Sequence, residues 1–89
     1  MTICKRVYYS GQVQGVGFRY TAQQVAAGFA VAGYVRNLPD GRVELVAEGE
    51  ANQVDAFLAA VVQRMAGSIE HCAVQEETPN GYTGFRIRY

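Results

Sequence analysis

The chain predicts an α+β domain of the split βαββαβ, ferredoxin-like kind: an antiparallel sheet covered on one face by two helices, plus a short fifth strand. Two amphipathic helical stretches are separated by period-two stretches, in the order strand, helix, strand, strand, helix, strand. Each helix has one apolar face to bury, and a single sheet face accommodates both. The 89 residues, 49% hydrophobic and 18% charged, suit one compact domain over residues 1–89.

Strand one spans residues 3–9, with Ile3, Val7 and Tyr9 sharing a face with Lys5, and Cys4, Arg6 and Tyr8 on the other. Gly11, Gly15 and Gly17 then crowd seven residues, too many for a helix or strand interior. From Phe18 the spacing becomes helical. Phe18, Ala22, Val25 and Phe29 recur at steps of four, three and four, placing helix one near 19–28 with Gly28 as its left-handed stop. Residues 33–38 form a second strand, Pro39-Asp40-Gly41 a turn, and Val43, Leu45 and Ala47 the return strand, closed by Gly49. Helix two carries the stripe Val54, Phe57, Leu58, Val61, Val62 and Met65, with Asn52 as candidate cap and Gly67 at its end. Residues 69–77 give strand four, and Phe85, Ile87 and Tyr89, alternating with Arg86 and Arg88, the last strand.

Eight basic residues balance eight acidic ones, so no overall field steers the chain onto nucleic acid or an anionic membrane. No apolar run reaches the ~18 residues of a membrane-spanning helix. The N-terminal residues enter a strand pattern directly, which makes the cytoplasm the expected compartment. Cys4 and Cys72 lack metal-ligand spacing and read as two free thiols, with a bridge between them as the open alternative. His71, next to Cys72 on a strand, points to the opposite face and reads as an ordinary histidine. The acids of Glu48-x-Glu50 and Glu76-Glu77 read as solvated, and Tyr20 and Tyr34 as packing groups. Arg36 is expected to face away from Asn37. Neither a Walker lysine nor a Gly-x-Gly-x-x-Gly fingerprint is present.

The chemistry concentrates between strand one and helix one, in Gly11-Gln12-Val13-Gln14-Gly15-Val16-Gly17-Phe18-Arg19. A glycine-rich turn feeding a helix start leaves several backbone N–H groups unpaired beside the positive end of the helix dipole. A cation in that first turn is disfavoured by about 0.3–1 kcal/mol unless an anion sits between. Arg19 occupies that position, and arginine is the better fork for phosphate.

The pattern Gly11-x-Val13-Gln14-Gly15-Val16-x-Phe18-Arg19 resembles the acylphosphatase signature at every fixed position. The segment Gly33-Tyr34-Val35-Arg36-Asn37-x-x-x-Gly41-x-Val43, followed by Gly49, resembles that family's second signature. The resemblance extends to Phe85-Arg86-Ile87, and departs only at Tyr9, where an aliphatic residue is more usual. It implies that the loop of Gly15, Val16, Gly17, Phe18 and Arg19 binds phosphate, Arg19 holding the oxygens, and that Asn37 holds the attacking water. It further implies a stand-alone hydrolase of small-molecule acyl phosphates, acting without metal or cofactor and without a phosphoenzyme. The alternative is a non-catalytic domain of the same fold that binds acyl or carbamoyl phosphate. An RNA-recognition module, the rival among binding domains, would need aromatic residues on the central strands and a basic surface. Strand three has no aromatic and carries an acid, so no nucleic-acid partner is expected. With both helices packed on the sheet, a monomer is expected.

Overall fold

The computed structural model describes residues 1–89. The elements are β1 (Thr2–Gly11), α1 (Phe18–Ala26), β2 (Val31–Asn37), β3 (Val43–Glu50), α2 (Ala51–Arg64), β4 (Ile69–Glu77) and β5 (Phe85–Arg88). They form one five-stranded sheet in the order β4-β1-β3-β2-β5. The first four strands pair antiparallel, as expected, but β5 runs parallel to β2, so the sheet is mixed. Alternation along a strand says which faces match; it does not reveal the direction of a neighbour.

Both helices lie on one face, over a core built from Val7, Tyr9, Val35, Leu45, Ala22, Val54, Phe57 and Val61 among others. Phe57 joins the layers, with its ring 5.3 Å from Phe85 and 6.1 Å from Phe29. Lys5, on the helix side of β1 as its alternation requires, reaches over to Asp55 of α2 at 2.8 Å. Gly33 permits the closest approach of β2 to β3, since a Cβ there would lie 1.9 Å from the Val46 carbonyl oxygen.

The helix ends differ from expectation. Glu50, not Asn52, caps α2, and α2 stops at Arg64, before Gly67. Helix α1 ends at Ala26 in a tightened turn, the N–H groups of Gly28 and Phe29 donating to Val25 and Ala26. Gly28 therefore needs no left-handed backbone. The apolar stripe of α2 is also narrower than its periodicity suggests. Val62 is 42% exposed, as Val74 on the edge strand β4 is at 52%.

The open face of the sheet corrects the reading of the acids. Glu44 and Glu48 are buried, at 3% and 7% exposure. Because β3 is the central strand, its second face is covered too, by arginines, tyrosines and the segment before β5. Glu44 accepts hydrogen bonds from Arg6 (2.9 Å), Tyr34 (3.0 Å) and Arg36 (2.7 Å). Arg6 also forks onto Glu77, and the guanidinium of Arg88 lies 4.0 Å from the Tyr34 ring centre. Glu48 accepts from the backbone N–H groups of Asn80, Gly81 and Tyr82, tying down the segment that leads to β5.

The two cysteines settle into free thiols, Cys4 buried and Cys72 exposed. Their strands are neighbours, but Cys4 faces Glu77 while Cys72 faces Tyr9, five positions along β1. At about 3.4 Å per residue that is about 17 Å, beyond any disulfide.

A pH dependence follows from the open face. Burial pushes the Glu44 carboxyl up, but the bonds from Arg36, Tyr34 and Arg6 outweigh it and hold it below its ordinary 4.5. The Arg6 fork holds Glu77 below 4.5 as well. The unfolded chain therefore takes up protons first on acidification. The stabilisation is complete above about pH 4.5 and is lost as pH falls through the depressed folded values. Urea midpoints measured between pH 6 and 3 are expected to drop over that window, and Glu44→Gln to flatten the drop.

Candidate active site

The segment between β1 and α1 folds as an open loop anchored at both ends. Val13 is fully buried beneath it, and the Gln12 N–H donates to the Ser68 carbonyl at 2.9 Å. At the far end Phe18 begins α1 with its ring 4.9 Å from that of Tyr9. The unusual tyrosine of β1 thus packs under the helix start. Gly15 (φ +76°) and Gly17 (φ +78°) both take left-handed backbone angles, which side chains other than glycine adopt at a cost. Gly17 serves as the N-cap of α1 without any side-chain cap.

This geometry leaves the loop amides free. The first N–H of the helix to find a backbone acceptor is that of Thr21, bonded to the Gly17 carbonyl at 2.9 Å. The N–H groups of Gly15, Val16, Gly17, Phe18 and Arg19 have no backbone acceptor. Successive unpaired N–H groups at a helix start make an anion-binding concavity.

A cavity of about 240 Å³ opens at this point, and Gly15, Gly17, Arg19 and Asn37 all line it. The loop and the end of β2, 18 residues apart in sequence between Arg19 and Asn37, thus meet at one site. Of the expected phosphate-binding positions, Val16 alone is outside the lining; its side chain is 47% exposed on the outer side of the loop. Phe18 contributes a buried wall. Arg19 takes part in none of the ion pairs of the protein, and its guanidinium lies 5.0 Å from the ring centre of Tyr89. It is the one charged side chain in the cavity lining and is free to meet an anion. Asn37 is the last residue of β2, paired with Val43. Alternation sends it to the helix side, while Arg36 turns to the open face and Glu44, as expected. Tyr34 is held on the open face as well. Tyr20, by contrast, is not a packing group: it is 61% exposed at the cavity mouth.

Two residues shape the site to which the sequence patterns assign no role, although Gln14 is one of their fixed positions. Gln14 donates from Nε2 to the carbonyls of Leu38 (2.8 Å) and Arg42 (2.9 Å), clamping the loop to the β2–β3 hairpin one residue beyond Asn37. A polar side chain placed between glycines was the signal available in the sequence. Tyr89, 98% exposed, stands at the opposite rim beside Ile87, which lies across from Val35 in the parallel pairing. Since Gln14 sets the distance between loop and Asn37, Gln14→Ala is expected to reduce turnover about 10–100-fold while the fold persists. Steady-state kinetics beside a urea melt checks this.

No three His, Cys, Asp or Glu side chains gather into a ligand cluster anywhere in the fold. His71 and Cys72 stand apart from the cavity. What the arrangement offers is a basic, amide-lined pocket for a tetrahedral anion, with a neutral amide side chain at its edge.

Comparison with known proteins agrees in both sequence and fold. The acylphosphatase family model matches residues 5–87. The chain is 46% identical over 81 residues to an acylphosphatase of Methanospirillum hungatei, covering 89% of each chain. It is 43% identical over 86 residues to that of Acaryochloris marina, covering 96% of this chain and 92% of the other. The crystal structure of acylphosphatase from Bacillus subtilis superimposes with a TM-score of 0.88 at 39% identity, over the whole of both chains. With the family match spanning nearly all its length and the loop, arginine and asparagine converging on one cavity, this chain belongs to the acylphosphatase family.

Proposed function

We propose that this protein hydrolyses the carboxyl–phosphate anhydride of acyl phosphates, releasing a carboxylate and inorganic phosphate. The observation that carries the reading is the convergence of unpaired loop amides, the unpaired Arg19 and Asn37 on one cavity. The phosphoryl group lies against the N–H groups from Gly15 to Arg19, and the Arg19 guanidinium meets its oxygens. Asn37 accepts a hydrogen bond from a water through its side-chain oxygen and aims it at phosphorus. The water oxygen forms the new bond to phosphorus as the bond to the acyl oxygen breaks. The electron pair leaves with the carboxylate.

Such a leaving group has a conjugate acid of pKa about 4–5, by analogy with side-chain carboxyls, and departs without a general acid. The proton of the water passes to a phosphate oxygen, so neither histidine nor carboxylate is needed as a base. Phosphoryl transfer asks the protein chiefly for alignment and charge stabilisation, which this site supplies. No helix is long and apolar enough to cross a membrane. We place the protein in the cytoplasm, a reading supported by the free, exposed thiol of Cys72, which a reducing compartment preserves. A monomer is supported by the small apolar exposure outside the cavity, where Met1, Val16, Val62 and Val74 stand on four different segments and fall short of the ~800 Å² per partner of a stable interface.

The test is hydrolysis of benzoyl phosphate, followed by absorbance, with EDTA present. Turnover that persists in EDTA is expected. A folded protein that binds inorganic phosphate but does not turn over benzoyl phosphate would instead be a binding domain.

A further inference from the structure

The cavity is larger than a phosphate needs. At roughly 30 Å³ for each water-sized oxygen, the four oxygens of a phosphate take about half of its volume of about 240 Å³. The remaining space has a consistent character. Phe18, Ile87, Tyr20 and Tyr89 supply apolar or aromatic wall, and beyond Arg19 the lining holds no charged side chain. The distribution of exposed apolar groups points the same way. Six large hydrophobic side chains are exposed in the whole protein, and three of them, Val16, Tyr20 and Tyr89, belong to the loop or the cavity mouth. Tyr20 stands in the first turn of α1, one residue after Arg19, and its hydroxyl accepts a hydrogen bond from Gln24 Nε2 at 2.9 Å, one turn along the helix.

Resting on the hydrolase reading above, we propose that Tyr20 and Tyr89 form an acyl-group subsite that selects flat, uncharged, aromatic or apolar acyl phosphates. With the phosphoryl group against the loop and Arg19, the acyl end extends past Phe18 to the two tyrosines. A planar acyl group covers otherwise wet aromatic surface there. A carboxylate-bearing acyl group meets no counter-charge, because the one cation in the lining is already engaged by phosphate. Tyr20 is therefore a specificity-determining residue that takes no part in bond breaking.

The experiment compares kcat/KM for benzoyl, acetyl and succinyl phosphate in the wild type, Tyr20→Ala and Tyr20→Phe. The parent carboxylic acids have similar strengths, so the ratios report recognition of the acyl group. The wild type is expected to favour benzoyl over acetyl phosphate about tenfold and to accept succinyl phosphate least. Tyr20→Ala is expected to shrink the benzoyl-to-acetyl ratio about five- to tenfold, and Tyr20→Phe, which keeps the ring, to restore it. Equal wild-type values for benzoyl and acetyl phosphate, or an alanine variant that lowers both in proportion, would overturn the subsite and leave the hydrolase standing. Absence of turnover with all three substrates would overturn the hydrolase reading, and the subsite with it.

Discussion

Arg19→Gln is expected to lower kcat/KM for benzoyl phosphate by about 10³–10⁵-fold, the range seen when an arginine that neutralises a transferring phosphoryl group is removed. Both binding and rate should suffer, because in the proposed mechanism the same guanidinium meets the phosphate oxygens before and during transfer. Inorganic phosphate should also bind more weakly as a competitive inhibitor. Stability should change by no more than about 0.5 kcal/mol, as expected for a surface substitution. Arg19 is in no ion pair, and its recorded partner is the exposed ring of Tyr89. Removing a cation from the first turn of α1 also relieves an unfavourable interaction with the helix dipole. Urea melts beside the kinetics separate these effects. A glutamine variant retaining activity within tenfold would remove Arg19 from the mechanism.

Asn37→Ala is expected to reduce kcat about 10²–10³-fold, the scale of losing one preorganised hydrogen-bonding group at the reacting centre. KM and the inhibition constant of inorganic phosphate should stay within about threefold, because in the proposed mechanism Asn37 acts on the water and the loop holds the phosphate. Its place at the end of β2, paired with Val43 and one residue before the Gln14 clamp on Leu38, gives the side chain a fixed origin. A rise in KM with kcat intact would mean that Asn37 binds the substrate instead. Inorganic phosphate inhibition therefore distinguishes the two assignments in a single series.

Much of this was legible along the chain because it is local. The stripe Val54, Phe57 and Val61 repeats at helical spacing and is buried. The glycines at 15 and 17 precede a helix start, so the free amides follow from chain geometry alone. Arg19 and Asn37 were legible as a pair through two family patterns, although no local rule brings them to one cavity. The cavity exists because β2 lies beside β5 and the loop from β1 reaches over the end of β2, held there by Gln14.

What the sequence by itself determined is the succession of elements, the faces they bury and the unpaired amides of the glycine-rich loop. Each of these depends on residues within a few positions of one another. Only the tertiary structure decided the parallel direction of β5, the burial of Glu44 and Glu48, the separation of Cys4 from Cys72 and the aromatic mouth of the cavity. Glu48 looked solvated because alternation assigns a charged residue to an open face. On the central strand that face is closed by arginines from three other strands and by the segment before β5. Burial there is a property of neighbours distant in sequence, and a carboxylate tolerates it because those neighbours supply its hydrogen bonds.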